Sequence, residues 1–179
     1  MKKIIVVAIL LILPVFASAQ SSFGVGASGG LFIPIVQDDQ GSGTIFTLRG
    51  IWNVNNLISI EPHMNLAKYG DPDGEGGLFD GFEGSKVTSF GVNAVLGMGG
   101  GMGLHPMLFA GIGSYKTKRD LTDQDVSDIG YSGGLGLEIG LNKSLALDAR
   151  GALYVIPLDE GGSKKSVSVS GGVNFYFGR

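Results

Sequence analysis

Along most of this chain apolar side chains alternate with small or polar ones, and the pattern is cleanest near the C-terminus. Between Ser168 and Phe177, successive side chains of an extended strand point to opposite sides. Val169, Gly171, Val173, Phe175 and Phe177 therefore share one face, and Ser168, Ser170, Gly172, Asn174 and Tyr176 the other. Reading the whole chain for a period of two predicts eight strands. They run over Phe23–Ile33, Thr44–Trp52, Leu57–Lys68, Lys86–Met98, Met107–Tyr115, Ile129–Leu141, Leu145–Ile156 and Ser166–Phe177. Each spans 9 to 13 residues, enough for a tilted strand to cross a hydrocarbon layer.

The connections alternate in length. Asn53–Asn56, Gly99–Pro106 and Asn142–Ser144 are short, whereas Pro34–Gly43, Tyr69–Ser85, Lys116–Asp128 and Pro157–Lys165 are longer. Short turns at one end and long loops at the other predict an all-β fold, an antiparallel up-and-down transmembrane barrel. An even strand count puts both termini on the short-turn side. Charge follows the same division, because 13 of the 16 acidic residues fall in the long loops and none in the short turns.

The remaining acids, Glu61, Glu138 and Asp148, lie mid-strand on the polar face. Strand two sets Phe46, Leu48, Gly50 and Trp52 against Thr47, Arg49 and Ile51. Strand three sets Ile58, Ile60, Met64 and Leu66 against Ser59, Glu61, His63 and Asn65, and strand seven sets Leu145, Leu147, Leu153 and Val155 against Asp148, Arg150 and Tyr154.

Alternation alone does not say which face is inside. A soluble ligand-binding barrel would turn the apolar face inward. Composition argues the other way, since charged residues make up 16% of the chain against about 25% in soluble domains. The aromatics also gather at strand ends. Phe23, Trp52, Phe175 and Phe177 are expected at the short-turn rim, and Tyr115 and Tyr131 at the outer rim. Two such belts match the two water interfaces of a bilayer.

The N-terminus carries Lys2 and Lys3, an apolar run from Ile4 to Phe16, and the small residues Ala17-Ser18-Ala19. This predicts a cleavable signal peptide over 1–19 and a barrel domain over 20–179. An uncleaved membrane anchor is the alternative, but the run is shorter than the ~20 residues of a spanning helix. Without Lys2 and Lys3 the chain holds 11 basic and 16 acidic residues, which argues against nucleic-acid binding. The chain has no cysteine, so closure and burial must hold the exported fold without disulfides. Glycine is abundant, at 32 residues, and stretches such as Gly24-Val25-Gly26 and Gly134-Leu135-Gly136-Leu137 keep phase with the alternation; on an inner face glycines let a narrow barrel close.

The candidate chemistry is concentrated inside. A turn centred near Asn55 puts Arg49 opposite Glu61, and one near Lys143 puts Glu138 opposite Asp148 with Arg150 diagonal to it. These five residues would share a narrow lumen as a structural plug, or as a gate whose ion pairs exchange. Eight strands leave little more than room for their own side chains, so little conductance is expected.

Asp71-Pro72-Asp73-Gly74 in the second long loop hints at calcium but lacks the remaining regularly spaced acids of an EF-hand. No metal or cofactor is expected, and 69–85 reads as an acidic loop. Lys116, Lys118 and Arg119 stand where lipopolysaccharide phosphates would lie, or form a solvated run balanced by Asp120, Asp123 and Asp125. An enzyme needs a nucleophile, a base and an orienting group. The chain has two histidines, His63 on the polar face and His105 before Pro106, with no His-x-Ser spacing; no enzyme is expected.

The C-terminal strand carries the most specific resemblance. Ser170, Gly172, Phe175 and Phe177 match the polar, glycine, apolar and terminal aromatic positions of an outer-membrane assembly signal, followed here by Gly178-Arg179. Met107–Tyr115 and Gly130–Arg150 also look like middle hairpins of the same group. The chain thus resembles the small eight-stranded outer-membrane barrels of OmpA/OmpX type. The resemblance implies the outer membrane of a Gram-negative-type bacterium, a monomer, and contact with membrane lipids, lipopolysaccharide and the assembly machinery. It implies a role in envelope integrity or surface interaction through four acidic loops, or a narrow porin-like channel, and names no surface ligand.

Overall fold

Strands with one apolar face must cover their unpaired edges, and here the sheet does so by closing on itself. The computed structural model describes residues 22–35, 41–70, 86–97, 102–118, 125–157 and 162–177. They form β1 (Ser22–Pro34), β2 (Gly41–Asn53), β3 (Ile58–Gly70), β4 (Lys86–Leu96), β5 (Gly103–Lys118), β6 (Asp125–Gly140), β7 (Leu145–Pro157) and β8 (Ser163–Phe177). Each pairs antiparallel with its sequence neighbours, and β8 returns to β1 through pairs running from Phe23↔Phe177 to Pro34↔Ser166. Closure leaves no strand edge for lipid to meet. Among the described residues no helix is long and apolar enough to cross a membrane. The segment expected to be a signal peptide and most of the four long loops lie outside the described residues.

The alternation sorts the side chains as the barrel requires. Phe46, Leu48, Leu147, Val169 and Val173 project outward, while Arg49, Glu61, Glu138, Asp148 and Arg150 are buried inside. Two of the short turns are built alike. Asn55 Oδ1 accepts from the N–H groups of Leu57 and Ile58, and Asn142 Oδ1 accepts from those of Ser144 and Leu145. Such side-chain mimicry of a turn is what asparagine supplies best. After β4, Gly97 takes φ +97°, a conformation that only glycine adopts at no steric cost.

Three boundaries differ from the sequence reading. The first turn takes in Leu57, with Val54 N–H donating to the Ile58 carbonyl. This moves the register by two, so Arg49 stands opposite His63 rather than Glu61. β5 starts at Gly103, with His105 and Pro106 already paired to Glu138 and Leu137 on β6. Proline is tolerated at the start of a strand, here beyond the last described β4 pair, Leu96↔Leu108. At the outer end β5 and β6 continue to Lys118 and from Asp125. That part of the hairpin carries mostly polar residues, so no apolar alternation announces it.

Candidate functional site

The lumen is filled in three levels. At the short-turn end, Ile51, Val95, Met107 and Ala146 are buried with Tyr176. Ser22, Asn53 and Ser59 are linked there by bonds of 2.9 and 2.6 Å.

Above them lies a belt of ion pairs. Asp148 takes Arg49 Nη2 on both oxygens at 2.7 Å and Arg150 Nε on Oδ2 at 2.6 Å. Arg150 then reaches across the barrel to Glu61 through Nη1 at 2.6 Å and Nη2 at 3.0 Å. The two parallel bonds form the fork geometry that guanidinium and carboxylate favour. Arg49 is completed by Ser28 Oγ and Asn174 Oδ1, and the Arg150 guanidinium lies 5.7 Å from the centre of the Phe109 ring. Gly26 makes room for Arg49, since a Cβ there would come within 2.8 Å of Nε.

Four of the five sequence-predicted lumen residues thus form one chain, Arg49–Asp148–Arg150–Glu61. Glu138 does stand opposite Asp148, yet it joins no arginine through a hydrogen bond. Its Oε2 instead accepts from Asn174 Nδ2 and Tyr176 OH, and its Oε1 has no partner among the described residues. Asn174 and Tyr176 were not singled out from the sequence. Their position on the polar face of the last strand was the available signal, but parity does not reveal which inward side chains meet across a lumen.

The outer level is aromatic. Phe32 packs on Tyr69 at 4.9 Å and on Tyr154 at 5.7 Å, and Tyr154 meets Tyr115 edge-on at 6.3 Å. Tyr69 OH and Ser166 Oγ are 2.8 Å apart. This corrects the reading of Tyr115 as a lipid-interface aromatic. It has the inward parity of Phe109 and Gly113 on β5 and is 3% exposed. The other five do face outward. Phe23 stacks on Trp52 at 6.2 Å, Phe175 meets Phe177 at 5.1 Å, and Tyr131 is exposed on the outer wall.

Between the ionic and aromatic levels remains a cavity of about 30 Å³, bordered by Thr47, Glu61, His63, Asn65, Asn93 and Ser132, room for a few waters. His63 lies inside with Nδ1 3.4 Å from the Glu61 carbonyl oxygen. Of the assembly-signal residues, Ser170 and Gly172 take the inward parity of β8 and Phe175 and Phe177 the outward one. Lys116 lies on the outer wall of β5 rather than in a loop. Lys118 ends β5, and Arg119 and the Asp71–Glu83 stretch lie outside the described residues. Among the described residues no three His, Cys, Asp or Glu side chains are grouped to hold a metal ion.

A closed eight-stranded barrel with an oily exterior and a filled ionic lumen is the architecture of small outer-membrane proteins. The family model for the outer membrane protein beta-barrel domain matches residues 5–177. The chain belongs to that family. Among curated proteins none matches. Among solved structures, Neisserial surface protein A (NspA) is similar at 18% identity and a TM-score of 0.72, over 88% of this chain and 99% of that one. The N-terminal β-barrel domain of Pseudomonas aeruginosa OprF is similar at 15% identity and a TM-score of 0.57, over 88% and 100%. Pseudomonas aeruginosa OprG is similar at 14% identity and a TM-score of 0.55, over 89% and 97%. These identities carry the fold alone. Membership in the family assigns this barrel to the outer membrane and makes the side chains around the wall its lipid-facing surface.

Proposed function

We propose that the chain is a non-catalytic, sealed wall protein of a Gram-negative-type outer membrane. It serves envelope integrity or surface interaction from its outer rim. The observation that carries this reading is the lumen, where an Arg–Asp–Arg–Glu chain lies beneath an aromatic roof and leaves about 30 Å³ free. The expected result in planar bilayers is no stable open channel. A steady conductance that changes on Arg49→Ala would overturn the sealed reading and support a narrow porin-like channel instead. One feature favours that second reading: Asp148 serves two arginines, so the pairs have a route to exchange.

The outer rim supports a lipid partner. Lys68 stands directly opposite Lys86, and Lys116 opposite Thr88 on the same three neighbouring strands, with all three lysines exposed on the outer wall. Below them come Leu66, Phe90 and Ile112, the apolar belt itself. Exposed cations at the polar end of an apolar belt attract anionic headgroups, and the phosphates of lipopolysaccharide carry the complementary charge. Changing Lys68, Lys86 and Lys116 together to Gln is expected to weaken retention of phosphorylated lipid A in native mass spectrometry, by about 1 kcal/mol per lysine. Equal retention of dephosphorylated lipid A by the unaltered barrel would count against phosphate as the group recognised. The C-terminal strand, with Ser170, Gly172, Phe175 and Phe177, supports recognition by the assembly machinery, and the barrel acts as a monomer.

A further inference from the structure

One seam of the lipid-facing wall sets a glycine against a proline. In the β2–β3 hairpin the Val54–Ile58 bond makes the even-numbered positions of β2 the hydrogen-bonded ones, which sets Gly50 opposite Pro62. Pro62 has no N–H, so the Gly50 carbonyl loses its ladder donor. The regular pairing accordingly skips from Arg49↔His63 to Trp52↔Ile60. A proline inside a strand is normally confined to edges and bulges. Here it lies within a closed wall, where lipid offers no replacement donor.

The same seam carries a hollow of about 570 Å³ on the outer surface. Gly50 and Pro62 form its floor, and Val25, Leu48, Met64 and Phe90 stand around it. The exposed side chains of Val25, Leu48 and Phe90 belong to the lipid-facing belt, so the hollow is continuous with the membrane contact surface. Large apolar side chains cover the wall elsewhere, for example Ile112 on β5 and Leu135 on β6. At Gly50 no side chain fills the gap.

We propose that this hollow seats one acyl chain of a membrane phospholipid at a fixed place on the barrel. The apolar rim excludes a charged headgroup from the hollow, and a straight hydrocarbon chain matches both its chemistry and its opening toward the bilayer. Pro62 contributes a flat ring to the floor where a projecting side chain would occupy the seat. Gly50 is the position that controls the space, because a Cβ there meets Pro62 Cγ at 3.3 Å and a longer side chain extends into the hollow.

Trp52, the single tryptophan of the chain, lies two residues from Gly50 on the same face of β2 and reports on the seat. The purified barrel is placed in phosphatidylethanolamine vesicles containing an increasing fraction of dibromostearoyl chains, which quench indole fluorescence on contact. One resident chain at a fixed place predicts quenching in simple proportion to the brominated fraction, whereas several exchanging chains around the indole predict quenching that rises more steeply and levels off early. Gly50→Leu, checked for its folded position by heat-modifiable gel migration, is expected to turn the proportional curve into the steep one. A steep curve in the unaltered barrel would overturn the proposal, as would a proportional curve unchanged by folded Gly50→Leu. If Gly50→Leu does not fold, the curve of the unaltered barrel decides alone, proportional for the seat and steep against it. Neither outcome depends on whether the lumen conducts or the rim binds phosphate.

Discussion

Asp148→Ala is expected to destabilise the folded barrel by roughly 3–5 kcal/mol, the cost of leaving a buried charge without its partner. Asp148 is the only carboxylate that Arg49 touches among the described residues. Without it Arg49 keeps Ser28 and Asn174, which are neutral, while its side chain stays 2% exposed. Arg150 suffers less, because its two bonds to Glu61 remain. Asp148→Asn, similar in shape but uncharged, is expected to cost less than Asp148→Ala. Arg49→Met added to Asp148→Ala is expected to restore part of the loss by removing the stranded cation. Urea unfolding in phospholipid vesicles, followed by Trp52 emission, gives all three values. A change below 1 kcal/mol for Asp148→Ala would mean that the ionic belt does not hold the barrel together.

The fold was legible because its physics is local. A residue such as Val169 must face lipid if Ser168 and Ser170 face inward, and eight repeats of that choice separated by short and long connections leave few topologies. The register at Glu138 and Asp148 was also readable, since the three-residue turn Asn142–Ser144 is bounded clearly on both sides. The Arg49 pairing was not, because Leu57 looks like the first strand residue yet belongs to the turn.

The site was legible only in composition. Parity announces that two arginines and three acids point inward, but Arg150 meets Glu61 from four strands away. Such partnership across a lumen depends on stagger around the whole barrel, which no local pattern encodes. The aromatic roof was missed for a related reason. Phe32, Tyr69 and Tyr115 sit near strand ends, where an aromatic suits either a lipid interface or an interior, and parity alone separates the two.

The second large effect concerns the wall. Leu135 lies near the middle of the apolar face of β6, between Ile129 and Ile139, and is 68% exposed. It pairs with Leu108 on β5 and Gly151 on β7, so no polar side chain adjoins it in the ladder. An arginine there must enter hydrocarbon, at a cost of about 2–4 kcal/mol at the bilayer midplane. At Leu57, exposed in the first short turn, an arginine reaches the water interface and should cost about 0–1 kcal/mol.

The lumen, rim and seam all require that the oily face meets lipid, and this pair of substitutions tests it most directly. Urea unfolding of Leu135→Arg and Leu57→Arg in phospholipid vesicles should give a loss several times larger at Leu135. Equal and negligible losses at the two positions would mean that water wets the outer wall, and would contradict the account.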